Sequence, residues 1–153
     1  GNGVVPIKKR FVSTLSGLAW ELERREPVSS ENERQLRPGA FDAWRDLARF
    51  DASPFVVEWE TGNISSSHRA LNKMTFGILR EVFSGGVLVI PSRVLARFLT
   101  DRIGTYTELE PYFPLWSYHK PKSGYLSIVE VEYDATSKNV PKIPKMTAGR
   151  AVR

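Results

Sequence analysis

Val87-Leu88-Val89-Ile90-Pro91 is an apolar run without a single charged side chain, entered through Gly85-Gly86 and closed by proline. A short apolar run between breakers reads as a strand covered on both faces, the pattern of a central strand in a sheet packed between helices. The segment before it has helical spacing: over Ser66–Phe83, Leu71, Met74, Ile78, Leu79 and Val82 share a side, and Gly85-Gly86 are expected to end that helix. Ser92–Leu99 reads as a further short helix and Tyr125–Tyr133 as the last strand. Strands alternating with helices imply an α/β core.

Upstream, Pro6 suits the first turn of a helix running to Leu18, with Ile7, Phe11, Leu15 and Leu18 at helical spacing. Trp20–Arg24 alternates and fits either a first strand or the end of that helix. Pro27–Pro38 is polar and reads as a loop with room for a helical turn. Arg37–Trp44 is a turn entering a short strand, and Phe50–Pro54 is a second turn. Tyr106–Lys122, rich in proline and aromatics, is expected to be irregular. No repeat interrupts this order.

At 153 residues the chain is long enough for one domain with its own core. That core is expected to occupy 1–134, and the basic segment 135–153 to be a mobile tail. The net charge of +5 favours polyanionic partners. With no cysteine, thiol catalysis, disulfides and cysteine-ligated zinc are excluded, and two histidines make a multi-histidine zinc site improbable. No apolar run approaches the ~18 residues of a membrane span, and the N-terminus lacks the order of a signal peptide, so a cytoplasmic protein is expected.

Chemistry concentrates in Pro54–Lys73, which reads as strand, polar turn and helix. On a strand, Glu58 and Glu60 share one face while Val57 and Trp59 share the other. Two carboxylates so placed repel each other and lose hydration, and a divalent cation would offset both costs. Asp42, sixteen residues before Glu58, lies at the neighbouring strand and can reach the same cation. Magnesium suits such a set, since it takes a few carboxylates and otherwise waters and phosphate oxygens. The bland alternative is a solvated acidic strand face, the reading given to Glu130-Val131-Glu132, which no polar turn or basic helix follows. Gly62 supplies the turn and a serine at its end is expected to cap the helix. His68, Arg69, Asn72 and Lys73 then decorate the helix. A helix start favours phosphate, and Arg and Asn read guanine and adenine edges, although a capped, solvated helix face explains the same residues.

The arrangement Asp42…Glu58-Trp59-Glu60 resembles the PD-(D/E)XK nuclease motif in the variant with glutamate in place of lysine, as in the BamHI/BglII-like type II restriction endonucleases. Those enzymes carry Asn, Ser and Arg at three, five and nine residues past the second glutamate, where this chain has Asn63, Ser65 and Arg69. An Asp-Arg pair follows about forty residues on, here Asp101-Arg102. The resemblance spans Ile7–Tyr133. It implies a restriction-endonuclease-like α/β core, a mixed central sheet flanked by helices. Asp42, Glu58 and Glu60 match the catalytic carboxylates. Asp42 and Glu58, with an upstream acid at Glu23 or Glu26, match the metal ligands. Asn63, Ser65, Arg69, Asp101 and Arg102 match base-reading positions, and Lys8 a lysine near DNA. Two departures stand out: Phe41 rather than proline precedes Asp42, and a segment at the N-terminal side is missing, which bears on dimerisation and full activity.

The implied function is a magnesium-dependent type II restriction endonuclease that cuts double-stranded DNA at a short palindromic site. It would act as a homodimer, with a cognate DNA methyltransferase in the same system. The alternatives are a DNA-binding relative that does not cleave and an RNA- or repair-directed nuclease on the same core.

Overall fold

The computed structural model describes residues 4–25, 39–99, 103–118 and 124–141. Among these residues, five strands form one sheet in chain order: β1 (Glu21–Arg24), β2 (Phe41–Arg45), β3 (Phe55–Trp59), β4 (Gly85–Pro91) and β5 (Tyr125–Val131). β1, β2 and β3 pair antiparallel, whereas β3, β4 and β5 pair parallel, so the sheet is mixed. The apolar run therefore lies between two parallel neighbours, as its composition requires. Helix α1 (Val4–Gly17) covers one face and α2 (Ile64–Leu79) the other.

Each face has its own core. On the α2 side, Phe41, Trp44, Val56, Leu88 and Ile90 pack against Ala70, Leu71, Met74 and Ile78. On the α1 side, Ala43, Val57, Trp59 and Val89 meet Ile7, Phe11 and Leu15, with Phe11 and Trp59 ring centroids 5.0 Å apart. Val56 and Val57 thus point to opposite faces, the alternation expected of β3. A third cluster, Leu95, Leu99 and Ile103, closes the α1 side beside Val131.

Several local expectations are corrected. α2 starts at Ile64, not Ser66, because Asn63 rather than a serine is the N-cap: its side chain accepts the Ser66 N–H at 3.2 Å. α2 ends at Leu79, well before the glycines, and Glu81 turns the chain in the left-handed region at φ 59°. Leu79 is 39% exposed and not part of the packed face. Gly85 and Gly86 belong to β4, where a Cβ at Gly86 would lie 2.5 Å from Met74 Sδ; the missing side chain lets α2 sit close to the sheet.

Trp20–Arg24 resolves into strand β1. The second helix after the sheet's centre, α3 (Arg93–Ala96), is shorter than Ser92–Leu99, with Ser92 as its cap. Of Tyr106–Lys122, the described part, 106–118, is helical rather than irregular. It contains α4 (Tyr106–Leu109), a 3-10 turn at Glu110–Tyr112 and α5 (Phe113–Tyr118). Thr105 and Glu108 form a capping box, and Pro111 sits in a first turn, where the missing N–H costs nothing. Pro27–Pro38 and the last twelve residues lie outside the described residues. Among the described residues no helix is long and apolar enough to cross a membrane.

Candidate active site

β2 and β3 pair through Ala43 and Val57 and then diverge. Asp42, one step further, turns its carboxylate into the opening and accepts the Trp59 N–H on Oδ2 at 2.8 Å. A side chain thus takes the place of the next main-chain acceptor, leaving the Trp59 N–H satisfied although buried. Beyond the opening β3 keeps its other neighbour, since the Glu60 N–H donates to the Val89 carbonyl at 2.9 Å. The end of β3 lies between the two helices, with Trp59 packed on Phe11 of α1 and Glu58 meeting Lys73 of α2. Asp42 is buried, at 6% exposure.

Glu58 is half-buried on β3, on the α2 side. Its carboxyl is raised above the ordinary range, first by burial and then by the negative charge of Asp42. Lys73 and the Asp42 backbone N–H act in the opposite direction and only partly offset this. Asp42 and Glu58 are therefore electrostatic neighbours in a water-poor pocket, the acid pair expected from the spacing. Glu60 lies just past the strand, half-buried, with Oε1 accepting the Gly62 N–H at 2.6 Å. A Cβ at Gly62 would come 2.7 Å from that oxygen, so the glycine is what lets the turn fold against Glu60.

Each acid of the pair has a lysine. Lys8 of α1 lies 2.6 Å from Asp42 Oδ1. Burial by itself lowers the Lys8 ammonium, but the hydrogen bond and charge of Asp42, with Glu23 and Glu58 adding, outweigh it and raise the group. Lys73 of α2 bonds Glu58 Oε1.

Glu23 stands on β1 with an exposed side chain and φ of 52°; its charge reaches Lys8, but the structure does not gather it with the acid pair. Among the described residues no three acidic, histidine or cysteine side chains converge on one metal position. Glu26 lies outside the described residues. The two-carboxylate set still fits magnesium, which takes one or two carboxylates with waters and phosphate oxygens; buried hard oxygens with a raised carboxyl are what a divalent ion would stabilise.

Asn63, Ser65 and Arg69 project exposed from the first turns of α2, beside the Glu60–Gly62 turn. Asp101 and Arg102 lie outside the described residues. Two residues past Arg102, the Gly104 N–H donates to the Gly62 carbonyl at 3.1 Å, against the same turn. His68 packs its ring edge-on to Tyr112 at 4.5 Å and near Trp116 at 5.5 Å, a structural role. Glu130 is exposed on β5, as expected of a solvated strand face, and Glu132, also exposed, lies past the strand, which ends at Val131 rather than Tyr133.

Lys73 was visible in the sequence only as helix decoration. The signal lay in its position: it flanks the stripe Ser67, Ala70, Leu71, Met74, Gly77 and Ile78, which the structure buries.

A mixed sheet with its acid pair at a strand divergence, faced by a polar helix start, defines a restriction-endonuclease-like α/β protein. A family model described as restriction endonuclease BamHI matches residues 1–150. The type II restriction enzyme OkrAI of Oceanobacter kriegii is 48% identical over 153 residues, covering 100% of this chain and 75% of its own length. The type II restriction enzyme BamHI of Bacillus amyloliquefaciens is 31% identical over 153 residues, covering 99% of this chain and 69% of its own length. The chain belongs to the BamHI restriction endonuclease family.

Proposed function

We propose that this protein is a magnesium-dependent, sequence-specific endonuclease of double-stranded DNA. The observation that carries the reading is the placement of Asp42 and Glu58 as neighbouring, desolvated carboxylates at the divergence of β2 and β3. Asp42 and Glu58 would hold the cation. When bound, magnesium would supply a Lewis acid for charge developing on the phosphate and the leaving 3′ oxygen. Glu60 has its Oε1 engaged by Gly62 and can take the proton of an attacking water on its second oxygen. Asn63, Ser65 and Arg69 would read base edges, with Asp101 and Arg102 completing the contact. The names of both relatives, type II restriction enzymes, support the DNA endonuclease part of this reading.

A homodimer is included in the proposal. Asn72, Phe76 and Leu79 share one face of α2, and Trp116 of α5 donates to Asn72 Oδ1 at 2.8 Å. Around that joint Phe76, Leu79, Tyr112 and Leu115 are 37%, 39%, 47% and 60% exposed, an apolar surface suited to a second copy. A cognate methyltransferase would protect the host site.

The lysine on each carboxylate favours a second reading, a DNA-binding relative that does not cleave. Plasmid cleavage with magnesium and with EDTA separates the two. Wild type should cut only with the metal, and Glu58→Gln should bind duplex DNA without cutting. No cleavage of any duplex by wild type with magnesium would establish the second reading, and cleavage of RNA alone would redirect the first.

A further inference from the structure

Lys73 differs from the other cations around the acid pair. Its side chain is 9% exposed, against 37% for Lys8. Its Nζ meets Glu58 Oε1, donates to the Ala40 carbonyl at 3.0 Å, lies 3.5 Å from the Gly39 carbonyl, and stands 3.9 Å from the Phe41 ring centroid. An ammonium withdrawn from water to this extent needs fixed partners to remain charged. Here they come from three directions: a carboxylate on β3, carbonyls of the segment entering β2, and an aromatic face.

We propose that Lys73 is a positioning residue that acts as the built-in counter-ion of the cation site. It compensates Glu58 and ties down the approach to β2 while no divalent ion is bound, and it competes with that ion for Glu58. The inference rests on Asp42 and Glu58 being the cation ligands, as proposed above. The Ala40 carbonyl and the Phe41 face do not depend on Glu58, so the ammonium keeps two partners when it gives up the carboxylate. Lys73 thereby sets how strongly the DNA-free protein holds a divalent ion, and it steadies the pocket before the ion arrives.

The test is calorimetric titration of the DNA-free protein with Mn2+ at mildly alkaline pH, comparing wild type with Lys73→Met, Lys73→Arg and Glu58→Gln. Methionine keeps an unbranched stem against Phe41 and removes the charge. Removing a like charge beside the ion should tighten Mn2+ binding by about tenfold in Lys73→Met, with Lys73→Arg near wild type. The metal-free melting temperature of Lys73→Met should fall below wild type, and Mn2+ should close the gap. Equal Mn2+ affinity in wild type and Lys73→Met overturns the counter-ion role and leaves the cation site standing. Absence of saturable binding in every protein, or binding undiminished by Glu58→Gln, overturns the cation site itself. Should Lys73→Met fail to fold, wild type labelled with 13C-lysine decides: the Lys73 Cε resonance should shift as Mg2+ is added, and an unmoved signal overturns the proposal.

Discussion

The Trp59 main-chain N–H donates to Asp42 Oδ2 at 2.8 Å, across a gap where two strands have stopped pairing. One carboxylate therefore does two things: it completes the β2–β3 ladder through Oδ2, and through Oδ1 it pairs with Lys8 beside Glu58. Those roles are separable. Asp42→Ala strands a buried donor and should cost about 1–3 kcal/mol of stability, whereas Asp42→Asn keeps an acceptor and should cost much less. Both should abolish cleavage. Urea unfolding beside plasmid cleavage checks this, and equal destabilisation by the two variants would remove the ladder role.

Asn63 carries a second double role, as N-cap of α2 and as a proposed base reader. Asn63→Ala should cost about 1 kcal/mol through the lost cap, while Asn63→Asp retains a capping oxygen beside the positive end of the helix. Aspartate cannot donate to a base edge, so its specific DNA binding should fall although its melting temperature holds. Affinities for cognate and scrambled duplexes, set against melting temperatures, decide between capping alone and capping with recognition.

Stability at high pH should report the Lys8–Asp42 pair. Because the folded protein raises Lys8 above its ordinary 10.5, the folded state holds that proton more tightly than the unfolded one. The stabilisation is then fully present below that value and is lost as pH rises through the folded one. Thermal melts should show wild type exceeding Lys8→Met near neutrality, with the difference shrinking in the alkaline range. A difference independent of pH would leave only packing of the lysine stem.

The exposed apolar surface of α2 and α5 predicts an oligomer sensitive to charge. Phe76→Asp with Leu115→Asp should shift sedimentation toward the monomer and reduce double-strand cleavage, with the fold intact by circular dichroism. Unchanged sedimentation would place the copy contact elsewhere.

Arg69→Ala addresses recognition directly. If Arg69 reads a base edge, cognate binding should weaken by about 1–3 kcal/mol and scrambled duplex binding far less. Equal losses on both duplexes would make it a phosphate contact.

How much of this was legible beforehand differs by kind of feature. Local chemistry was enough for the central strand, because Val87–Ile90 is apolar on both faces wherever it lies. It was also enough for α1, for the strand–turn–helix carrying Glu58, Glu60 and Asn63, and for an acid pair formed with Asp42. The helical nature of Tyr106–Tyr118 was hidden because proline and aromatics suggest breaks, while the Thr105–Glu108 box and prolines in first turns outweigh that signal. Only the tertiary structure paired Lys73 with Glu58 and Lys8 with Asp42, or left Glu23 apart on an edge strand. Periodicity along one element gives the face a side chain occupies, whereas an ion pair between elements depends on how two helices settle on opposite faces of a sheet. The Trp59–Asp42 bond is of the same kind, since it exists only because β2 and β3 diverge immediately beyond Ala43 and Val57.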